Sequence, residues 1–160
     1  MNLQLRPFRN GDEAALRAVF YSSVHMLARR HYSPAQLAAW APRLYDPAQW
    51  RALIHAHQPF IAELDGAIAG YADLQASGCI GHFFVAGAYG GLGVGKALMA
   101  HIHQQAASRG TGQLFSDVSL AAELFFRKSG FAVQARQQVD VRGVVLANAR
   151  MRKALPGTSA

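Results

Sequence analysis

One cysteine, Cys79, stands in the 160 residues, so no disulfide can close within the chain. No apolar run approaches the ~18 residues that a membrane span needs. The N-terminal stretch carries Arg6, Arg9, Asp12 and Glu13 where a secretory signal would place a basic segment and then a long apolar one. These absences lead us to expect a cytoplasmic protein with no membrane partner. Acid is scarce too, with 9 Asp and Glu against 16 Lys and Arg, a formal charge of +7. The scarcity is sharpest from Arg127 onward, where seven basic residues accompany one acid, Asp140. Residues 34 to 126 hold four basic residues and six acids. Such a bias suits an anionic cofactor or a nucleic acid, and equally the solvated outer faces of edge strands. It comes without a recognition helix or an aromatic-interleaved basic patch, so no nucleic-acid partner is expected.

What remains is a globular composition, 51% hydrophobic and 16% charged. The length suits one domain that buries roughly 70% of its unfolded surface, and we expect it over residues 1–155 with a disordered tail at 156–160. Leu3 to Phe8 alternates like a short strand, and Asn10 with Glu13 forms an asparagine version of a capping box. Leu16, Val19, Phe20, Val24 and Leu27 then recur at helical spacing. Ser33-Pro34-Ala35-Gln36 and Asp46-Pro47-Ala48-Gln49 are two further helix starts, each with a cap and a proline at the first helical position. Trp50, Leu53, Ile54 and His57 share a face of the helix that follows the second of them. The period then changes to that of strands. Pro59 to Leu64 and Ile68 to Leu74 flank the hairpin signal Asp65-Gly66, and a third strand is expected from Cys79 to Val85. After a glycine loop come a helix with Val94, Ala97, Leu98, Ile102 and Ala106 on one side, a strand from Leu114 to Val118, and a short helix through Phe126. A terminal strand pair, Phe131 to Asp140 and Val144 to Met151, turns at Arg142-Gly143.

The glycine loop, Gly90-Gly91-Leu92-Gly93-Val94-Gly95-Lys96, joins an apolar strand to an amphipathic helix. Glycines there expose backbone N–H groups, and the helix start leaves its first N–H groups unpaired and positively polarised, a cradle for pyrophosphate. A dinucleotide fingerprint would need a further glycine that is missing. A triphosphate loop would need Ser or Thr for magnesium where Ala97 stands. His55/His57 and His101/His103 are spaced so that they diverge on a helix, and no metal is expected.

The loop resembles the acyl-coenzyme A pyrophosphate loop, Gln/Arg-x-x-Gly-x-Gly/Ala, of the GCN5-related N-acetyltransferase (GNAT) family, with glycine in place of the initial Gln or Arg. The segment Ser119-Leu120-Ala121-Ala122-Glu123-Leu124-Phe125-Phe126-Arg127-Lys128-Ser129-Gly130-Phe131 is similar to that family's Asn-x-x-Ala-x-x-Phe-Tyr-x-x-x-Gly-Phe. His31-Tyr32-Ser33-Pro34 with Trp40 resembles the YafP-type bacterial branch. The resemblance implies an α/β (α+β) GNAT fold. Its mixed, mostly antiparallel sheet would have about six to seven strands flanked by helices and splayed between the fourth and fifth. It also implies an acetyl-CoA cofactor and transfer to an amine on a small molecule or peptide.

The same resemblance assigns roles. Backbone groups of Phe84 and Val85 would bond the pantetheine arm, and a strand amide would polarise the thioester carbonyl. The N–H groups of Leu92, Gly93, Val94, Gly95 and Lys96 would hold the pyrophosphate, with Ala97 also in the cofactor site. The second segment would add Ser119, Ala122, Phe125 and Phe126 to the cofactor site, with Lys128 pairing with the 3′-phosphate. Ser119 is equally a helix cap, and Lys128 equally an exposed lysine. Phe126 stands where many relatives carry a proton-donating tyrosine, so that role is vacant or moved. A noncatalytic acyl-CoA binding module is therefore the alternative function. For proton removal, His82 on the central strand and Asp117 closing the next are the candidates, against a core histidine and a salt-bridged acid. Cys79 is a candidate nucleophile or an ordinary buried thiol. His31, Tyr32 and Trp40 fall where relatives wall their substrate, although Trp40 also suits core packing. The terminal strands leave homodimerisation open.

Overall fold

The structure, a computed structural model, describes residues 1–156; the remainder of the expected tail, 157–160, lies outside the described residues. Four antiparallel strands form one half of the sheet in the order β1 (Leu3–Pro7), β2 (Phe60–Leu64), β3 (Ala67–Ala72), β4 (Phe83–Val85). β5 (Gln113–Ser119), β7 (Val144–Ala154) and β6 (Ala132–Val141) form the other half, with β7 in the middle. The halves touch through a single parallel bridge, Cys79 to Phe115, and part beyond it. That is the expected splay between the fourth and fifth strands.

Helices cover both faces. α4 (Val94–Arg109) buries Val94, Leu98, Met99, Ile102 and Ala106 against Ala62 and Ala72 on one face. On the other, α1 (Glu13–Ser22), α2 (Pro34–Trp40) and α3 (Pro47–His57) bury Leu16, Phe20, Leu37, Trp50 and Ile54 against Ile61 and Tyr71. Successive strand residues supply opposite faces, as the period of two requires. α4 comes close because β3 has Gly70 beneath it: a Cβ there would sit 2.9 Å from Val94 Cγ1. α5 (Glu123–Lys128) follows β5.

Both proline-led helix starts stand. Ser33 and Gln36 complete a reciprocal capping box, and Asp46 accepts from Ala48 N–H at 2.9 Å. The hairpin turns also stand, with left-handed φ at Asp65 (52°) and Gly66 (84°) and at Arg142 (51°) and Gly143 (82°).

Four expectations change. The first helix starts at Glu13, not at an Asn10 box, because the Asp12 carboxylate bonds Arg9 N–H (2.9 Å) and the Arg6 guanidinium (2.8 Å). That helix also does not run evenly to Leu27. A π turn over Ser23–Leu27 rotates the stripe, and Leu27 is exposed. The third strand is only Phe83–Val85, because its first half, around Cys79 and Ile80, bonds across to Phe115 instead. Finally, Ser119 ends β5, and its hydroxyl accepts from Ala122 N–H (3.2 Å), capping a turn one step ahead of α5.

Candidate active site

The site begins where the sheet opens. Ile80 N–H donates to Phe115 O (2.8 Å) and Ser116 Oγ to Ile80 O (2.7 Å), and past this latch β4 is paired only with β3. The phase of that pairing follows from two bonds, Ala86 N–H to Ala69 O (2.8 Å) and Asp73 N–H to His82 O (3.1 Å). Antiparallel partners alternate, so the N–H and C=O of Phe84 are turned into β3, while those of Phe83 and Val85 are turned to the open edge. The backbone groups left free on this edge are therefore those of Phe83 and Val85, where the sequence pointed to Phe84 and Val85. Phe84 contributes its ring instead.

At the mouth of this wedge stands the start of α4. Gly93 is its N-cap with a left-handed φ of 86° and no side chain to cap the first turn. The N–H of Ala97 is already bonded to Gly93 O (3.0 Å), so any part of Ala97 in the cofactor site does not run through its N–H. Those of Val94, Gly95 and Lys96, the first three helical residues, precede the point where intrahelical bonding begins. At Gly91 and Gly93 an added Cβ would meet nothing within 4 Å, which leaves room for a ligand at the backbone.

A cavity of about 390 Å³ extends from this loop along the wedge, floored by Leu27, Phe83, Val85, Tyr89 and Phe125. Gly93, Val94, Gly95 and Lys96 line it, and so do Ser119 and Ala122. Leu92 does not line it. Phe126 does not either: it is 2% exposed and packs edge-on against Phe83 and Phe131. Lys128 is exposed at the end of α5, outside the lining. An apolar trough for a pantetheine arm, leading to unpaired helix N–H groups for a diphosphate, fits coenzyme A.

A second cavity, about 660 Å³, lies on the α1–α3 side. Its wall joins Phe20, Trp50, Tyr32, Leu146, His82 and Asp117 with two arginines, Arg17 and Arg142. Trp40, Phe84 and Ser119 line both cavities, so the two meet there.

His82 enters this wall just ahead of β4, with its ring 5.6 Å from that of Phe84 and its Nδ1 3.0 Å from Tyr71 Oη. Its backbone N–H is held by the fully buried Asp73 carboxylate. Burial first, and then the neighbouring His57, push the imidazole down to about 4. It is thus neutral at pH 7, below the titrating range assumed from sequence. Asp117 is tied to Arg150 Nε (2.6 Å) and Gln137 Nε2 (3.0 Å), and the Arg150 bond holds its carboxyl below the usual range. Tyr32 is a strut, its hydroxyl donating to Ala147 O (2.6 Å) and accepting from Leu120 N–H (3.0 Å). His31 is exposed and lines neither cavity, whereas the adjacent Tyr32 is buried. Cys79 also lines neither, and burial pushes its thiol up, away from nucleophilic use.

Sequence reasoning missed Arg17, Phe20, Phe83, Tyr89 and Arg142. Arg17 alone left a trace, a charge set between the apolar Leu16 and Val19 on α1.

A cradle made of backbone N–H groups and an adjoining aromatic chamber, joined through a gap in the sheet, define a group-transfer protein with a nucleotide-borne donor. The family model for the acetyltransferase (GNAT) domain matches residues 28–155. The uncharacterized N-acetyltransferase YafP of Escherichia coli (strain K12) is 31% identical over 94% of this chain and 95% of its own. A crystal structure of a GCN5-related N-acetyltransferase from Rhodopseudomonas palustris is 34% identical, covers 97% of each chain and superposes with a TM-score of 0.92. The structure of yncA from Salmonella typhimurium with its cofactor acetyl-CoA shares the fold at 21% identity and a TM-score of 0.70, over 100% of this chain and 98% of its own. The chain belongs to the GNAT family of N-acetyltransferases, whose acyl donor is acetyl-CoA, and its resemblance to the YafP-type branch holds.

Proposed function

We propose that this chain moves the acetyl group of acetyl-CoA to the nitrogen of an amine by direct attack, with the donor in the 390 Å³ cavity and the amine in the 660 Å³ one. The observation that carries this is their meeting at Trp40, Phe84 and Ser119. When bound, acetyl-CoA supplies an activated acyl carbon. The chain's part is to hold, orient and deprotonate. Val94, Gly95 and Lys96 offer N–H groups to the diphosphate, with the Lys96 charge near it, and Lys128 is the exposed cation we assign to the 3′-phosphate. Phe83 and Val85 present edge N–H groups in the wedge, and one of these polarises the acyl carbonyl.

His82 receives the proton of the attacking amine. That role requires the tautomer in which Nδ1–H donates to Tyr71 Oη, which leaves the Nε2 lone pair free. The His57 ring lies 4.9 Å from that of His82, and its Nε2 is 3.9 Å from Asp73 Oδ2. Asp117 orients by its charge and does not act as the base, since Arg150 and Gln137 occupy its carboxylate and the Arg150 bond lowers its affinity for a proton. The setting we infer is cytoplasmic, where the one thiol stays reduced.

The test is release of coenzyme A thiol from acetyl-CoA across a panel of aromatic amines, amino acids, polyamines, aminoglycosides and N-terminal peptides. Amine-dependent release with an acetylated product is expected. Tight coenzyme A binding without turnover on any amine would instead make the chain an acyl-CoA binding module, the reading that Phe126 invites.

A further inference from the structure

The acceptor cavity holds two guanidinium groups with no acid to match them. Arg17 is only 8% exposed, yet none of the ion pairs among the described residues involves it or Arg142. Each is fixed by one bond to a backbone carbonyl, Arg17 Nη2 to Pro42 O (2.6 Å) and Arg142 Nη1 to Ala39 O (2.7 Å). The rest of the Arg17 head lies against aromatic faces, 4.3 Å from the Tyr45 ring centroid, 5.1 Å from Phe20 and 5.2 Å from Trp50. Its Nε is buried with no hydrogen-bond partner.

A guanidinium stays charged at any working pH, and burying one without an anion is costly. The two acids in the same wall do not relieve it. Asp46 accepts from Ala48 and Gln49 N–H at the start of α3, and Asp117 is held by Arg150. Burial, the largest influence, acts against the charged form of Arg17; Tyr45 opposes it, the nearby charge of Arg142 adds to it, and Tyr71 opposes it more weakly. Two orphan cations converging on one chamber, each anchored with donors to spare, are arranged for an oxyanion supplied by a ligand.

We infer that the acceptor amine carries its own oxyanion, a carboxylate in the manner of a free amino acid, and that Arg17 and Arg142 hold it. The proposal rests on the acetyl-transfer reading above and narrows it, since the N-terminal amine of a long peptide has no carboxylate close by. A chamber of about 660 Å³ lined by Phe20, Trp40, Trp50 and Phe84 further favours an amino acid with an apolar or aromatic side chain.

The experiment compares kcat/KM for matched acceptors: aromatic and aliphatic amino acids, their methyl esters, their decarboxylated amines and the phosphonate analogues. Free acids are expected to exceed esters and decarboxylated amines by about tenfold to a hundredfold, mainly through KM. Phosphonates that match or exceed the carboxylates support the same oxyanion site and name its preferred geometry. Arg142→Gln, at an exposed turn, and Arg17→Lys, which keeps the charge but loses the planar fork, should each cut that preference by about tenfold while coenzyme A affinity, read by calorimetry, is retained. Esters or decarboxylated amines used as well as the acids, or a preference unmoved in both variants, would overturn the proposal. Coenzyme A binding separates the two failures. A wild-type chain that binds coenzyme A but prefers neutral amines sinks this inference alone, whereas one that does not bind it sinks the donor reading as well.

Discussion

The donor cavity is built from backbone and the acceptor cavity from side chains. In the proposed donor cavity the groups on offer are the N–H groups of Val94, Gly95 and Lys96 and the open edge of Phe83 and Val85, which a glycine loop and one strand phase suffice to expose. In the proposed acceptor cavity they are His82, Arg17, Arg142 and a ring of aromatics, the lining being brought from α1, α2, α3, β4 and the β6–β7 turn. A backbone cradle reads the part of a substrate that never changes, and a side-chain chamber reads the part that does. Variants on the two sides should therefore fail in different ways.

The largest effect is expected from Gly93→Val. The surroundings of Gly93 are open, so the harm comes from a φ of 86° that a β-branched residue cannot adopt without strain. Coenzyme A affinity by calorimetry should fall about a hundredfold or more, with an unchanged circular dichroism spectrum. His82→Gln should do the reverse, lowering kcat by about a hundredfold and leaving coenzyme A affinity alone. In the wild type, His82 is neutral above about pH 4. The rise of kcat/KM between pH 6 and 9 should then follow the deprotonation of the free amine, with no enzyme inflection near about 6.5.

The same residue has a stability signature. An unfolded imidazole titrates near about 6.5, and folded His82 near about 4, so between these values the unfolded chain binds the extra proton. The contribution of His82 is fully present above the unfolded value and is lost as pH falls toward about 4, roughly 3 kcal/mol in all. Asp73, whose carboxyl is raised by burial, acts with the opposite sign, so the difference between wild type and His82→Gln is the quantity to measure. Denaturant melts at pH 7.5 and 4.5 should show the variant losing less than the wild type.

Smaller effects follow at the margins of the comparison. Lys128→Ala should weaken coenzyme A binding by only about threefold to tenfold, with a reduced salt dependence, since the lysine is exposed and solvent-screened. Asp117→Asn breaks a half-exposed pair with Arg150 and should cost no more than about 1 kcal/mol, with kcat changed less than about threefold. A fall in kcat as large as that of His82→Gln would return Asp117 to the role of base.

The asymmetry between the cavities also explains what the sequence disclosed. The glycine loop, the paired proline-led helix starts and the Asp65-Gly66 turn are local devices, written in neighbouring residues, and each appears where its chemistry places it. So does the splayed sheet, once the loop and the Ser119–Phe131 segment are read together. Arg17 and Arg142 are 125 positions apart and converge only because β7 lies central in its half-sheet and carries the hairpin turn over α2. No local pattern marks such a pair. His31 was misplaced for the same reason, since adjacency to Tyr32 does not say which side of a turn faces the cavity. The exchange of Phe84 for Phe83 shows a subtler limit. Which strand residues bond inward depends on hydrogen-bond phase, which Ala69 and Asp73 set from the neighbouring strand.

Calorimetric titration of coenzyme A into the wild type, Gly93→Val and His82→Gln tests the central claim most directly. The account predicts equal affinity for the wild type and His82→Gln, and binding lost in Gly93→Val. Undiminished binding in a folded Gly93→Val would show that the start of α4 does not hold the donor.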